Sequence, residues 1–231
     1  MNGVKTLMYR EKKISGFPVV SYGLIYSLYI VIFMVLMSIT GHLTSLWHWA
    51  VPGVLLIAVA FVLYFFRNPK RFITAAENEI ISPADGKVMS ITKVREDAFL
   101  GVNAVKVSIF LSIFNVHLNA SPVKGLVKYH NYREGKMLPA FKSHASDINE
   151  RNTIGIETDD GYKVLVHQIT GFIARRIVWW VKVGDSLDKG EKFGLIKFGS
   201  CTEIILPVDT EISVVCGQKV RAGQTVIGVR K

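Results

Sequence analysis

The sequence predicts a mainly β, compact sandwich- or barrel-like domain preceded by an α-helical transmembrane hairpin. Three observations predict it. Two uncharged apolar runs stand near the N-terminus, and short β-branched runs separated by turn residues fill the remainder. Half of the 231 residues are hydrophobic while only 20% are charged, and the positive mean hydropathy is high for a soluble domain. The length suits one ordinary domain with an added segment.

Residues 1–16 form a basic N-terminus carrying Lys5, Arg10, Lys12 and Lys13. From Phe17 to Ile39 there is no charged residue, and about 20 apolar residues suffice to cross a bilayer as a helix. A second uncharged run, Trp49 to Phe66, has aromatic residues at both ends, as expected at a lipid–water boundary. The segment joining them contains no Lys or Arg, whereas Arg67, Lys70 and Arg71 follow the second run. By the positive-inside tendency, residues 17–66 form a hairpin whose two ends face the cytoplasm. The domain at 67–231 is then expected on the cytoplasmic side of the cell membrane. A cleaved signal peptide is disfavoured by the length of the first run and by the second run behind it. Pro52 and Gly53 interrupt the second run and leave a re-entrant hairpin open.

Past Arg71, runs such as KVMSITKV, VKVSIFLSIF, YKVLVHQIT and TEIILPV alternate with Gly, Asn and Asp, the texture of a mainly antiparallel β domain. EGKMLPAFKSHASDINERN breaks this rhythm and reads as a short helix or a long, functional loop. Near the end, GDSLDKGEKFGLI from Gly184 and GQKVRAGQTVIGV from Gly217 share glycines at their first and seventh places. Each reads as turn, short strand, turn and strand, and the pair resembles the lipoyl and biotinyl carrier fold. The modified Lys motif of those carriers is missing, which counts against a membrane-tethered lipoyl-like binding module. Cys201 and Cys216 make neither a disulfide framework nor a zinc spacing, and both read as small packing residues. The net charge of +10 favours an anionic partner. The basic residues are scattered or next to the membrane runs and no nucleic-acid motif is present, so anionic lipid is expected and nucleic acid is not.

KFGSCTEIILP, 197–207, places a Gly-Ser step between two apolar segments. In a strained turn the Ser200 hydroxyl can attack the carbonyl of Gly199, a residue with no side chain to obstruct it. β-Elimination of the resulting ester leaves dehydroalanine, which hydrolyses to a pyruvoyl group. A bare Gly-Ser pair carries little weight, but RNPKRFI, ISPADGKV, FLSIFNVHLNASPVKGLV, NERN and QITGFIARRIVWWVKVGDSLDKGEKFGLIKFGS occur in one order. Together they resemble the phosphatidylserine decarboxylase proenzymes, in the short form found in bacteria and archaea.

That resemblance implies a self-cleaving zymogen that breaks between Gly199 and Ser200, with Asp85, His117 and Ser200 as the catalytic set. Physically the roles are coherent: His117 as base, Asp85 orienting its imidazole, Ser200 as nucleophile. Without the family, Asp85 reads as a turn residue before Gly86, and His117 as a hydrogen-bonded core histidine. His42, His48, His130, His144 and His167 read as structural. Where longer members carry a second His this chain has Phe114. The resemblance further implies a pyruvoyl cofactor made from Ser200, no metal, and two cleavage fragments that remain together as a heterodimer. The ketone would form a Schiff base with the amine of a serine phospholipid, which loses carbon dioxide to give the ethanolamine lipid. An ether-linked archaeal serine lipid is the alternative substrate. Arg175 and Arg176 are candidates for the lipid phosphate, with Trp179 and Trp180 at the interface. Adjacent residues of a strand face opposite sides, so at most one of the two arginines is expected in the site.

Overall fold

The computed structural model describes residues 19–39, 47–136, 138, 148–171, 176–197 and 200–230. The chain divides into two compact units, Ile14–Lys70 and a second that starts at Arg71. EGKMLPAFKSHASDINERN lies mostly outside the described residues.

In the first unit, helices α1 (Ser21–Ile39) and α2 (Trp47–Phe65) run antiparallel. The N–H of Val20 donates to the carbonyl of Phe66 at 2.9 Å, and Val19 bridges to Arg67. Gly23 permits this approach, because a Cβ there would lie 2.6 Å from Cβ of Phe66. α2 continues through Pro52. Among the described residues one helix, α1, is long and apolar enough to cross a membrane, and the apolar part of α2, Ala50–Phe65, is shorter. Leu28, Tyr29, Phe33, Leu56 and Ile57 are exposed.

The second unit is mainly β in its described residues. Its strands are β1 (Glu79–Ile81), β2 (Gly86–Glu96), β3 (Val102–Leu111), β4 (Leu118–Ala120), β5 (Gly125–Arg133), β6 (Arg151–Glu157) and β7 (Lys163–Thr170). They continue with β8 (Arg176–Trp179), β9 (Ser186–Leu187), β10 (Lys192–Lys197), β11 (Ser200–Pro207), β12 (Glu211–Ile212), β13 (Lys219–Val220) and β14 (Val226–Val229). An eight-stranded sheet has the order β13-β2-β3-β11-β7-β6-β5-β9, and two three-stranded sheets read β1-β14-β12 and β4-β10-β8. One face of the large sheet carries Val107, Ile109, Ile154, Val166, Ile204 and Leu206 into the core, all fully buried.

These orders reveal a duplication. One half consists of β1, β2, β3 and β11–β14; the other, β4–β10, is inserted between β3 and β11. Each half opens with a short strand and a Ser-Pro-x-x-Gly turn, 82–86 in one and 121–125 in the other. The turns match in detail: Ser82 Oγ donates to the Ala84 carbonyl at 2.7 Å, and Ser121 Oγ to the Val123 carbonyl at 2.6 Å. The halves also clasp reciprocally, Ile81 N–H to the Pro122 carbonyl and Ala120 N–H to the Pro83 carbonyl. At Gly86 an added Cβ would lie 2.2 Å from the Phe110 carbonyl oxygen, and at Gly125 2.4 Å from that of Glu157. The glycines of the C-terminal repeat, 184, 190, 217 and 223, all have positive φ, so each copy is a turn, a two-residue strand, a turn and a strand.

The other face of the large sheet holds a buried polar group. Glu203 accepts from Ser108 Oγ at 3.1 Å and meets Lys106 at 3.4 Å, while His167 Nδ1 lies 2.9 Å from Thr153 Oγ1. Burial first, and then the positive charges of Arg151, Lys106 and Arg133, push the His167 imidazole down to about 3. Its unfolded value is near 6.5, so the unfolded chain binds the extra proton between those limits and His167 costs stability as pH falls through that window. In urea titrations the unfolding free energy of the wild type should fall more steeply than that of His167→Gln, by up to ~1.4 kcal/mol per pH unit between pH 6 and 4. Parallel slopes would mean that His167 is protonated in the folded chain.

Candidate active site

Ser200 opens β11 and is fully buried, its backbone paired with Leu111 on one side and Thr170 on the other. The hydroxyl oxygen has no hydrogen-bond partner among the described residues. A buried polar group left so costs about 1–3 kcal/mol, which a purely structural position has no reason to carry. Gly199 and Arg175 lie outside the described residues.

His117 stands just before β4, also fully buried. A tight turn delivers it: Asn115 Oδ1 accepts from the N–H and the Oγ of Ser112, each at 2.9 Å. Nδ1 of His117 lies 3.0 Å from the Asn115 carbonyl oxygen. A carbonyl can only accept, so Nδ1 carries the proton and Nε2 is the basic nitrogen of the neutral ring. The carbonyl of His117 accepts from the Ile196 N–H at 3.1 Å, tying it to β10, the strand that runs up to the Gly-Ser step.

A second tie lies beside the first. Asn119 Nδ2 donates to Thr202 Oγ1 at 2.9 Å. Thr202 shares a face of β11 with Ser200, and Asn119 follows His117 at the same alternation. The segment bearing His117 and the strand bearing Ser200 are thus pinned together, with the pin about 7 Å along the chain from each of the two.

The carboxylate of Asp85 is held from two sides. It takes both Nη atoms of Arg71, at 2.5 and 2.7 Å, and the N–H of Ala222 at 2.8 Å. Arg71 Nη1 also donates to the Ala222 carbonyl at 2.7 Å. Among the described residues no hydrogen bond joins Asp85 to His117, and the Asn115 carbonyl holds the imidazole. Asp85 instead fastens the entry segment at Arg71 to the chain beyond Ser200.

Arg176 is exposed on β8, opposite Lys197. It lies in the field of Glu150 and Tyr132, whose hydroxyl donates to Glu150 Oε1 at 2.9 Å. Burial raises the Glu150 carboxyl above its ordinary range. Trp179 stacks on Tyr132 at 5.1 Å between ring centroids and tilts against His130 at 5.3 Å. Cys201 faces away from Ser200, among Ile169, Met89 and Phe110, and burial pushes its thiol up so that it stays protonated. Sequence reasoning missed Arg71, Asn119, Thr202 and Glu150 as site residues, although all four sit inside the motifs that carry the resemblance or in the Gly-Ser stretch itself.

A family model described as phosphatidylserine decarboxylase matches residues 58–228. The chain belongs to the phosphatidylserine decarboxylase family. It is 56% identical to the phosphatidylserine decarboxylase proenzyme of Carboxydothermus hydrogenoformans, over 83% of this chain and 89% of that one. The proenzyme of Symbiobacterium thermophilum is 51% identical over 78% of this chain and 84% of its own, and that of Geobacter sulfurreducens 43% over 83% and 92%.

In this phosphatidylserine decarboxylase family member the Arg71–Asp85–Ala222 clamp is open to a direct measurement. Breaking a largely buried pair by removing one partner strands the other charge, so Asp85→Ala should lower the unfolding free energy by ~2–4 kcal/mol. Arg71→Ala should do the same, and the double variant should lose less than the sum, with a coupling of about 1–3 kcal/mol. Additive losses would dissolve the clamp.

Proposed function

We propose that this chain is a self-processing, pyruvoyl-dependent phosphatidylserine decarboxylase, converting phosphatidylserine to phosphatidylethanolamine and carbon dioxide. The observation that carries the reading is Ser200, a buried hydroxyl without a hydrogen-bond partner among the described residues, at the first residue of the sheet's inner strand, in a chain whose relatives are named proenzymes.

His117 Nε2 takes the proton of Ser200 Oγ, which adds to the Gly199 carbonyl carbon. The C–N bond breaks, the amine of residue 200 is freed, and the peptide has become an ester. Removal of the Cα proton of residue 200 then breaks Cβ–Oγ, leaving a carboxylate on Gly199 and dehydroalanine at 200. Addition of water and loss of ammonia convert that residue to the pyruvoyl group. Once formed, the group supplies a ketone that binds the substrate amine and accepts the electrons released as carbon dioxide departs. His117 is suited to return a proton to the substrate carbon, because its Nδ1–H is held by Asn115 while Nε2 exchanges. The residues fit such a group: Ser200 is shielded from water, and no side chain competes for its oxygen among the described residues.

The two fragments remain a heterodimer because β11 belongs to one and its neighbours β3 and β7 to the other. Arg176, and Arg175 beside it in sequence, are the substrate-phosphate candidates, Arg176 supported by its exposure. The exposed apolar surface of α1 and α2 supports a hairpin in the cell membrane, with the second unit on the cytoplasmic side at lipid headgroup level. The positive-φ glycines at both copies of the C-terminal repeat support the lipoyl-like reading of that part, as scaffold only.

Intact mass of the purified protein should give two fragments, with the smaller one beginning in a ketone at residue 200. Ser200→Ala should yield one folded, uncleaved and inactive chain, and lipid decarboxylation by that variant would refute the assignment. His117→Ala should slow or stop processing, and normal splitting in this variant would remove His117 from the role of base.

A further inference from the structure

The inner face of the large sheet changes character at the end where Ser200 lies. Ile204, Val166 and Ile154 give way to Thr202, Gln168 and Asn152, their partners two residues on, with Asn119 above them. All four polar residues are fully buried. They are joined in one chain of hydrogen bonds: His130 Nε2 to Asn152 Oδ1, Asn152 Nδ2 to Gln168 Oε1, Gln168 Nε2 to Asn119 Oδ1, each 2.8 Å, and Asn119 Nδ2 to Thr202 Oγ1 at 2.9 Å.

The direction of this chain is fixed at one point. Asn119 Nδ2 also lies 3.3 Å from the Pro83 carbonyl oxygen, which can only accept. The atom beside it is therefore the amide nitrogen, and Asn119 Oδ1 must face a donor. Gln168 and Asn152 are oriented in turn, and His130 must carry a proton on Nε2. Every donor points toward Thr202. Thr202 Oγ1 is an acceptor as a result, and its own proton is turned away from Asn119. Space for the relay is reserved in the backbone: a Cβ on Gly194 would lie 2.7 Å from Gln168 Nε2.

Aliphatic side chains would fill this end of the core at lower desolvation cost, as they do a few residues away. What the amides provide is direction. They lock Thr202, next but one to Ser200, to Asn119, next but one to His117. We propose that His130, Asn152, Gln168 and Asn119 are positioning residues for self-cleavage, holding Thr202 so that Ser200 and His117 meet in the geometry the acyl shift requires. The proposal rests on Ser200 being the processing nucleophile.

The test is a pulse–chase of the full chain made cell-free with phosphatidylcholine–phosphatidylglycerol vesicles, following its splitting on denaturing gels beside the melting temperature of each variant. Thr202→Val keeps shape and loses the acceptor; it should slow splitting at least about tenfold, since a misplacement of ~1 Å can cost about a hundredfold. Thr202→Ser should restore the rate. His130→Leu, at the outer end of the relay and remote in sequence from the Gly-Ser step, should slow splitting with little change in melting temperature, while His130→Gln, which keeps a donor, should not. Wild-type rates in Thr202→Val or in His130→Leu would overturn the proposal, and His130→Leu decides alone if Thr202→Val does not fold. Ser200→Ala run in parallel separates the two levels. If it still splits, the processing assignment fails; if it is inert while Thr202→Val splits normally, only the relay fails.

Discussion

The pairing of β11 on both of its edges is the constraint on which the rest of the molecule depends. Ser200–Pro207 is hydrogen-bonded to β3 along one side and to β7 along the other, so the residue that begins the strand lies inside a sheet and not at its rim. A chain that breaks itself ahead of residue 200 therefore loses one covalent link and no part of the ladder. Beyond that residue, Ile204, Ile205, Leu206, Val214, Val220 and Ile227 are all buried. At about 1.5–3 kcal/mol for each, these six contribute roughly 9–18 kcal/mol, an upper bound, to holding the chain beyond residue 200 against the rest of the domain.

The duplication explains the position of the Gly-Ser step. In the inserted half, β6 and β7 are joined by the short turn 158–162, with Glu157 opposite Lys163. In the other half, Leu111 and Ser200 are opposed in the same way, but the turn that would join them has been opened to admit β4–β10. The Gly-Ser step is the point where the inserted half hands the chain back. His117 stands at the opposite lip of the same opening, shortly after β3 ends. His117 and Ser200 are far apart in sequence yet flank one interrupted hairpin.

Much of this was legible in the sequence. The uncharged runs from Phe17 and from Trp49 mark α1 and α2 within a few residues, because the absence of charge over a helical length needs no tertiary information. The alternation of apolar and turn residues marked most strands for a similar reason. The duplication was hidden, although ISPADGKV and NASPVKGLV both carry Ser-Pro-x-x-Gly, because one copy is nested inside the other and their strands differ in sequence. The true partners of Asp85 were hidden for a different cause. Arg71 bears no mark of its target, and the third donor is the backbone N–H of Ala222, which no side chain announces. The Asn115 carbonyl that fixes the His117 tautomer is likewise backbone. Nothing in the sequence links Asn119, Gln168 and Asn152, and only sheet register places them side by side.

Set over one another, the two halves show how a symmetric scaffold acquires an asymmetric site. At the fourth place of the Ser-Pro-x-x-Gly turn the inserted half carries Lys124, exposed, and the other half carries Asp85, buried against Arg71 and Ala222. The same turn geometry thus presents a solvated cation in one copy and a fastened carboxylate in the other. Removing a carboxylate from water is favourable only when donors meet it, and here the donors come from both sides of the Gly-Ser step: Arg71 ahead of it and Ala222 beyond it. Because an ion pair of this kind gains from being complete and loses heavily when one member is missing, it discriminates between an assembled and an open domain far more sharply than aliphatic contacts, whose contribution grows gradually with area. Asp85 therefore ties the entry segment at Arg71 to the chain beyond residue 200, while the Asn115 carbonyl fixes the tautomer of the His117 imidazole.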